Sequence, residues 1–104
     1  MKPDSGPTPT GTAHPPATLQ VSCVQLHWAK PLSYNLRRTL HYVGTAAEAG
    51  SRVVLFPEAG LTSYYFPYVI GLDPGDVAAA LDAVRAAARE RGIWVIVGTI
   101  RKTR

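Results

Sequence analysis

The run Arg52-Val53-Val54-Leu55-Phe56 stops at Pro57, and Glu58 follows at once. A short apolar, β-branched run bounded by a breaker reads as a buried strand. Proline has no N–H to give a neighbouring strand, so pairing ends there. In open α/β sheets, ligands sit outside the carboxyl ends of the strands. A strand that ends on a carboxylate therefore presents a catalytic or binding group at that edge. The rest of the chain reads as support for it.

Two further apolar runs, residues 19–26 and 93–99, have strand character. Alternation in the first puts Leu19, Val21, Cys23 and Gln25 on one face and Gln20, Ser22, Val24 and Leu26 on the other. Cys23 reads as a small buried hydrophobe, because no neighbour would lower its pKa as a nucleophile requires. Residues 33–49 read as a helix with Ser33 as N-cap. Leu36, Leu40, Val43 and Ala47 form its apolar face, and Arg37, Arg38, His41 and Glu48 point to solvent. Gly50 supplies a left-handed stop. A second helix opens with Asp73 as N-cap and Pro74 in its first turn. It repeats the spacing at Val77, Leu81, Val84 and Ala88 and ends at Gly92. The order is strand, helix, strand, helix, strand. Both crossovers are long enough for parallel pairing, so the fold class is α/β.

Residues 59–72 form a long connection carrying Tyr64, Tyr65, Phe66 and Tyr68. Long connections in compact domains are commonly functional. Two readings stand: a rim over the site with Tyr64 and Tyr65 facing inward, or a satellite cluster packed beneath the loop. His27 and Trp28 follow the first strand and lie near the same edge, as pocket walls or as loop packing.

Composition narrows the function classes. At 104 residues the chain allows one domain. Residues 1–18, rich in Pro, Thr and Gly, read as a flexible tail, leaving 19–104 to fold. His14 lies alone in the tail and His41 on an exposed helix face, so no metal site is expected. The net charge of +4 is scattered except at residues 101–104. That pattern is not a nucleic-acid module. No apolar run approaches the ~20 residues of a membrane span, and no apolar leader opens the chain. With one cysteine no internal disulfide forms, and a cytoplasmic location is expected. Neither Gly-x-Gly-x-x-Gly nor Gly-Lys-Ser is present, so no nucleotide cofactor is expected.

Taken together, several stretches resemble the amino-terminal part of the nitrilase superfamily, the carbon–nitrogen hydrolases. They are residues 21–26, Asn35-Leu36, residues 46–50, Val53-Val54-Leu55-Phe56-Pro57-Glu58, Leu61-Thr62, Tyr64 and Val97-Gly98-Thr99. The resemblance covers residues 19 to about 100. It implies the βαβαβ portion of an α-β-β-α sandwich and a Glu-Lys-Cys catalytic set acting on amide, nitrile or N-carbamoyl compounds. Glu58 matches the family's general base. The family's lysine and cysteine lie beyond the Gly-Thr strand, and neither Lys102 nor Cys23 matches them. The expectation is therefore an amino-terminal fragment, inactive alone, whose partner is a homo-oligomeric mate or a complementing C-terminal chain. Two alternatives remain: a non-catalytic α/β remnant or interaction module, and an unrelated flavodoxin-like or nucleotide-binding domain, against which the missing phosphate loop counts.

Overall fold

The computed structural model describes residues 17–101. The tail assigned to residues 1–18 lies almost wholly outside that range, as does Lys102. The elements run β1 (Val21–Cys23), α1 (Leu32–Glu48), β2 (Val53–Leu55), α2 (Phe66–Ile70), α3 (Pro74–Arg91) and β3 (Trp94–Ile96). The three strands form one parallel sheet in the order β1-β2-β3, with β2 in the centre. Strand order equals chain order, so crossovers of one hand deliver both long helices to the same face. The α/β class and the βαβαβ order are as the sequence indicates.

Val54 is fully buried at the middle of that covered face. It packs with Phe56, Ile93 and the α1 residues Val43 and Ala46, and Val24, Val95 and Ala87 close the cluster. A second cluster joins Leu32 at the head of α1 to Leu61 and to Val77 and Ala80 of α3. Each full burial of such a side chain is worth about 1.5–3 kcal/mol. The two clusters meet through Val97, just past β3.

Helix ends follow the chain chemistry, with corrections. Asp73 is the N-cap residue of α3, although its side chain makes no capping bond, and Gly92 closes the helix at φ 63°. Gly50 takes φ 92° just beyond α1. The N-cap of α1 is Pro31, not Ser33, so the helix starts earlier than expected. Its buried stripe is also rotated. Leu32, Asn35, Thr39, Val43 and Ala46 are buried, whereas Leu36, Leu40 and Ala47 are only half-buried. The rotation is tolerated because the polar members are satisfied. Asn35 Nδ2 donates to the Ala29 carbonyl at 2.8 Å, and Thr39 Oγ1 donates to the Asn35 carbonyl at 2.8 Å. Residues 59–72 contain the short helix α2, which sequence periodicity does not show.

The other sheet face is bare. Val21, Cys23, Leu55, Trp94 and Ile96 are exposed, Trp94 at 74%. Cys23 pairs in register with Leu55, and Leu55 with Ile96, so these three stand side by side. The buried position expected for Cys23 is thus overturned. Its strand face carries no covering layer among the described residues. Parallel sheets are ordinarily covered on both sides. The asymmetry gives a direct prediction for this 104-residue chain. Val54→Ala lowers the unfolding free energy by about 2 kcal/mol in urea titration. Ile96→Thr changes it by less than about 0.5 kcal/mol.

Candidate active site

Glu58 stands at the carboxyl end of the central strand. Phe56 N–H still donates to the Ile96 carbonyl at 2.9 Å, and Pro57 then ends the ladder. The chain turns sharply. Gly60 N–H donates to the Pro57 carbonyl at 3.0 Å, and Ser63 N–H to the Ala59 carbonyl at 2.7 Å. Two non-glycine residues of this turn hold positive φ, Ala59 at 53° and Ser63 at 77°. Such backbone costs on the order of 1–3 kcal/mol per residue and survives only where surroundings enforce it. Here they do. Leu61 is fully buried in the second cluster, Thr62 and Ser63 are buried beside it, and Ser63 Oγ accepts the Tyr65 N–H at 3.1 Å. A strained, clamped turn that leaves only its carboxylate exposed has the character of a functional site.

The carboxylate opens into a cleft of about 90 Å³. One wall is the loop after β1, with His27 and Trp28. The other is Arg38 of α1, and Ser63 and Tyr64 close the end. Asn35 fixes the geometry of the first wall, since its amide holds the Ala29 carbonyl at 2.8 Å. Its Oδ1 accepts from Arg38 Nη2 at 3.0 Å, which draws the guanidinium inward. Arg38 is therefore half-buried and part of the cleft, a correction to its solvent-facing assignment. Its Nε is buried without a hydrogen-bond partner among the described residues. The signal that could have found it is the Asn35/Arg38 spacing of three, which puts both on one helix face.

The sequence-derived candidates separate. Tyr64 lines the cleft with Glu58, and its phenol is raised above the ordinary range. The first cause is hydrogen bonding to the Glu58 carboxylate, followed by burial and then by the negative charge of Glu58. Tyr65 does not line the cleft. Its ring meets Trp28 edge-on at 5.7 Å and lies under Lys30 Nζ at 4.3 Å. Tyr68, from the same loop, goes to the core side, where its hydroxyl meets the Leu32 N–H. The connection is thus rim at Tyr64 and packing at Tyr68. No group of three metal-ligating side chains occurs among the described residues. A larger cavity of about 450 Å³ lies between α3 and residues 99–101. It shares no lining residue with the Glu58 cleft and is mostly apolar, its charges being Arg101 and the exposed Asp82–Arg85 pair.

The Tyr64–Glu58 coupling is measurable. Glu58→Gln removes the charge, so the Tyr64 phenol falls back toward the ordinary ~10. Site-resolved NMR titration of the tyrosine ring carbons reads this. An unchanged Tyr64 titration would show that the two groups do not interact.

Comparison with protein families matches residues 20–104 to carbon-nitrogen hydrolase. Neither the curated proteins nor the solved structures compared with the chain give a match. Because the match takes in every described strand and helix, from the residue before β1 to residue 104, the chain belongs to the carbon-nitrogen hydrolase family.

Proposed function

We propose that the protein contributes the general base to hydrolysis of a non-peptide carbon–nitrogen bond in an amide, nitrile or N-carbamoyl compound. Glu58 is that base. The observation that carries the reading is the clamped turn, which spends strain to hold one carboxylate at the end of the central strand. Family membership supplies the class of chemistry.

In this reading a cysteine thiol attacks the electrophilic carbon, and Glu58 takes its proton as the S–C bond forms. A lysine ammonium steadies the charge on the tetrahedral oxygen or nitrogen. From an amide or N-carbamoyl compound the amine or ammonia leaves with the proton that Glu58 took, whereas a nitrile first gives a thioimidate that adds one water before ammonia leaves. In each case a water then cleaves the acyl–sulfur bond and frees the thiol. Tyr64 lines the same cleft beside the carboxylate. Cys23 does not serve, because it sits on the bare sheet face beside Leu55 rather than in the Glu58 cleft. The nucleophile and the lysine thus come from polypeptide beyond the described residues, either the same chain continued or a complementing one. The substrate in this reading is a small-molecule amide or nitrile met in the cytoplasm, and a second copy of the chain or a C-terminal chain is the proposed partner.

A second reading has one observation in its favour. The bare face of Val21, Cys23, Leu55, Trp94 and Ile96 suits an α/β interaction module without chemistry. Activity separates the two. In the hydrolase that contains this chain with its cysteine and lysine, Glu58→Gln lowers kcat by about 10²–10⁴-fold on amide and nitrile substrates. The 104 residues alone show none. Hydrolysis by the isolated chain that Glu58→Gln abolishes would overturn the need for outside groups. Full activity in the Glu58→Gln enzyme would overturn the base assignment.

A further inference from the structure

The turn that carries Glu58 is pressed against one residue of a distant segment. A Cβ placed on Gly98 would lie 2.5 Å from the Ala59 amide nitrogen, 2.9 Å from the Pro57 carbonyl oxygen and 3.0 Å from the Glu58 Cα. All three are backbone atoms, so no flexible side chain can swing aside. Among the described residues the positive-φ glycines are Gly50 and Gly92, and Gly98 is not one of them. Glycine is required at 98 for space and not for torsion.

The same segment holds the turn at two more points. The Gly98 carbonyl accepts the Leu61 N–H at 3.0 Å, and Thr62 Oγ1 accepts the Ile100 N–H at 2.8 Å. The chain beyond β3 therefore continues past the end of the ladder as a template. It presses on residues 57–59 from one side and pulls on 61 and 62.

We propose that Gly98 is a positioning residue for Glu58: its missing side chain lets the segment after β3 seat against the backbone of residues 57–59 and so fixes where the carboxylate points. The consequence for catalysis rests on the reading of Glu58 as general base, but the geometric claim does not. Restoring an ordinary contact of 3.4 Å from 2.5 Å demands a relative shift of 0.9 Å. A base works only within hydrogen-bond reach of the proton it takes, and a displacement of about 1 Å costs on the order of 10²-fold in rate. Gly98 does not line the Glu58 cleft. It acts through the backbone that carries Glu58.

The test is Gly98→Ala in the 104-residue chain, with Gly71→Ala as control, because a Cβ at Gly71 comes no closer than 3.6 Å to its neighbours. The readout is the part of the Tyr64 titration shift that Glu58→Gln removes, followed by NMR on ¹³C-tyrosine-labelled protein. Gly98→Ala loses at least half of that shift while the amide spectrum stays dispersed, and Gly71→Ala keeps it. A folded Gly98→Ala chain with the whole shift intact overturns the proposal. If Gly98→Ala does not fold, Thr62→Val replaces it, cutting one tie of the same segment without adding a clash. Loss of the shift there supports the template, and retention overturns it. A loss of mere stability would not move the titration of Tyr64 in molecules that remain folded. If the hydrolase reading fails, the dependence of the coupling on Gly98 still stands.

Discussion

Everything at the Glu58 edge depends on the close backbone approach of the segment after β3 to the turn after β2. The central strand is hydrogen-bonded on both sides, and its Val54 has no solvent contact. That makes β2 the most firmly held element of the sheet. Pro57 ends its pairing, yet the chain does not drift into a loop. It is seized within a few residues by Gly98 and by the burial of Leu61. Rigidity in the core is thus carried past the strand end to the carboxylate. The positive φ values at Ala59 and Ser63 are sustained by that clamp.

The α1 helix serves the same edge from the other side. Asn35 and Thr39 occupy buried positions where aliphatic residues would pack as well. Asn35 is kept productive by two partners, the Ala29 carbonyl and Arg38. It links the loop after β1 to the helix, and so sets the width of the cleft opposite Glu58. A buried amide bonded on both ends is a directional element, which a leucine could not be. This explains why the helix is rotated from the face its leucines suggest.

Much of this was legible in the sequence. The strand at 53–56, its stop at Pro57 and the carboxylate beyond it are encoded locally by β-branched residues and a breaker. Gly92 and Pro74 mark helix ends by torsional rules that need no tertiary context. What could not be read depends on contacts across the chain. The helix rotation follows from Asn35 meeting Ala29, and the fate of each tyrosine in 59–72 follows from which surface lies nearby. Cys23 looked buried because alternation marks two faces without saying which one the helices cover. Here they cover the face of Ser22 and Val24. The bare face, the short helix α2 and the role of space at Gly98 are likewise properties of assembly rather than of local pattern.

If the Glu58 turn is as rigid as the sheet it leaves, native-state hydrogen exchange on the folded chain will show it. Amides that open only with a cooperative unit share its exchange free energy. The Leu61 and Ser63 amides are expected to exchange within about tenfold of the Phe56 amide, a spread of about 1.4 kcal/mol. The Tyr64 and Phe66 amides, outside the clamp, exchange much faster. If Leu61 and Ser63 exchange as fast as Tyr64 while Phe56 stays protected, the turn is an ordinary loop. Glu58 would then not be held by the fold.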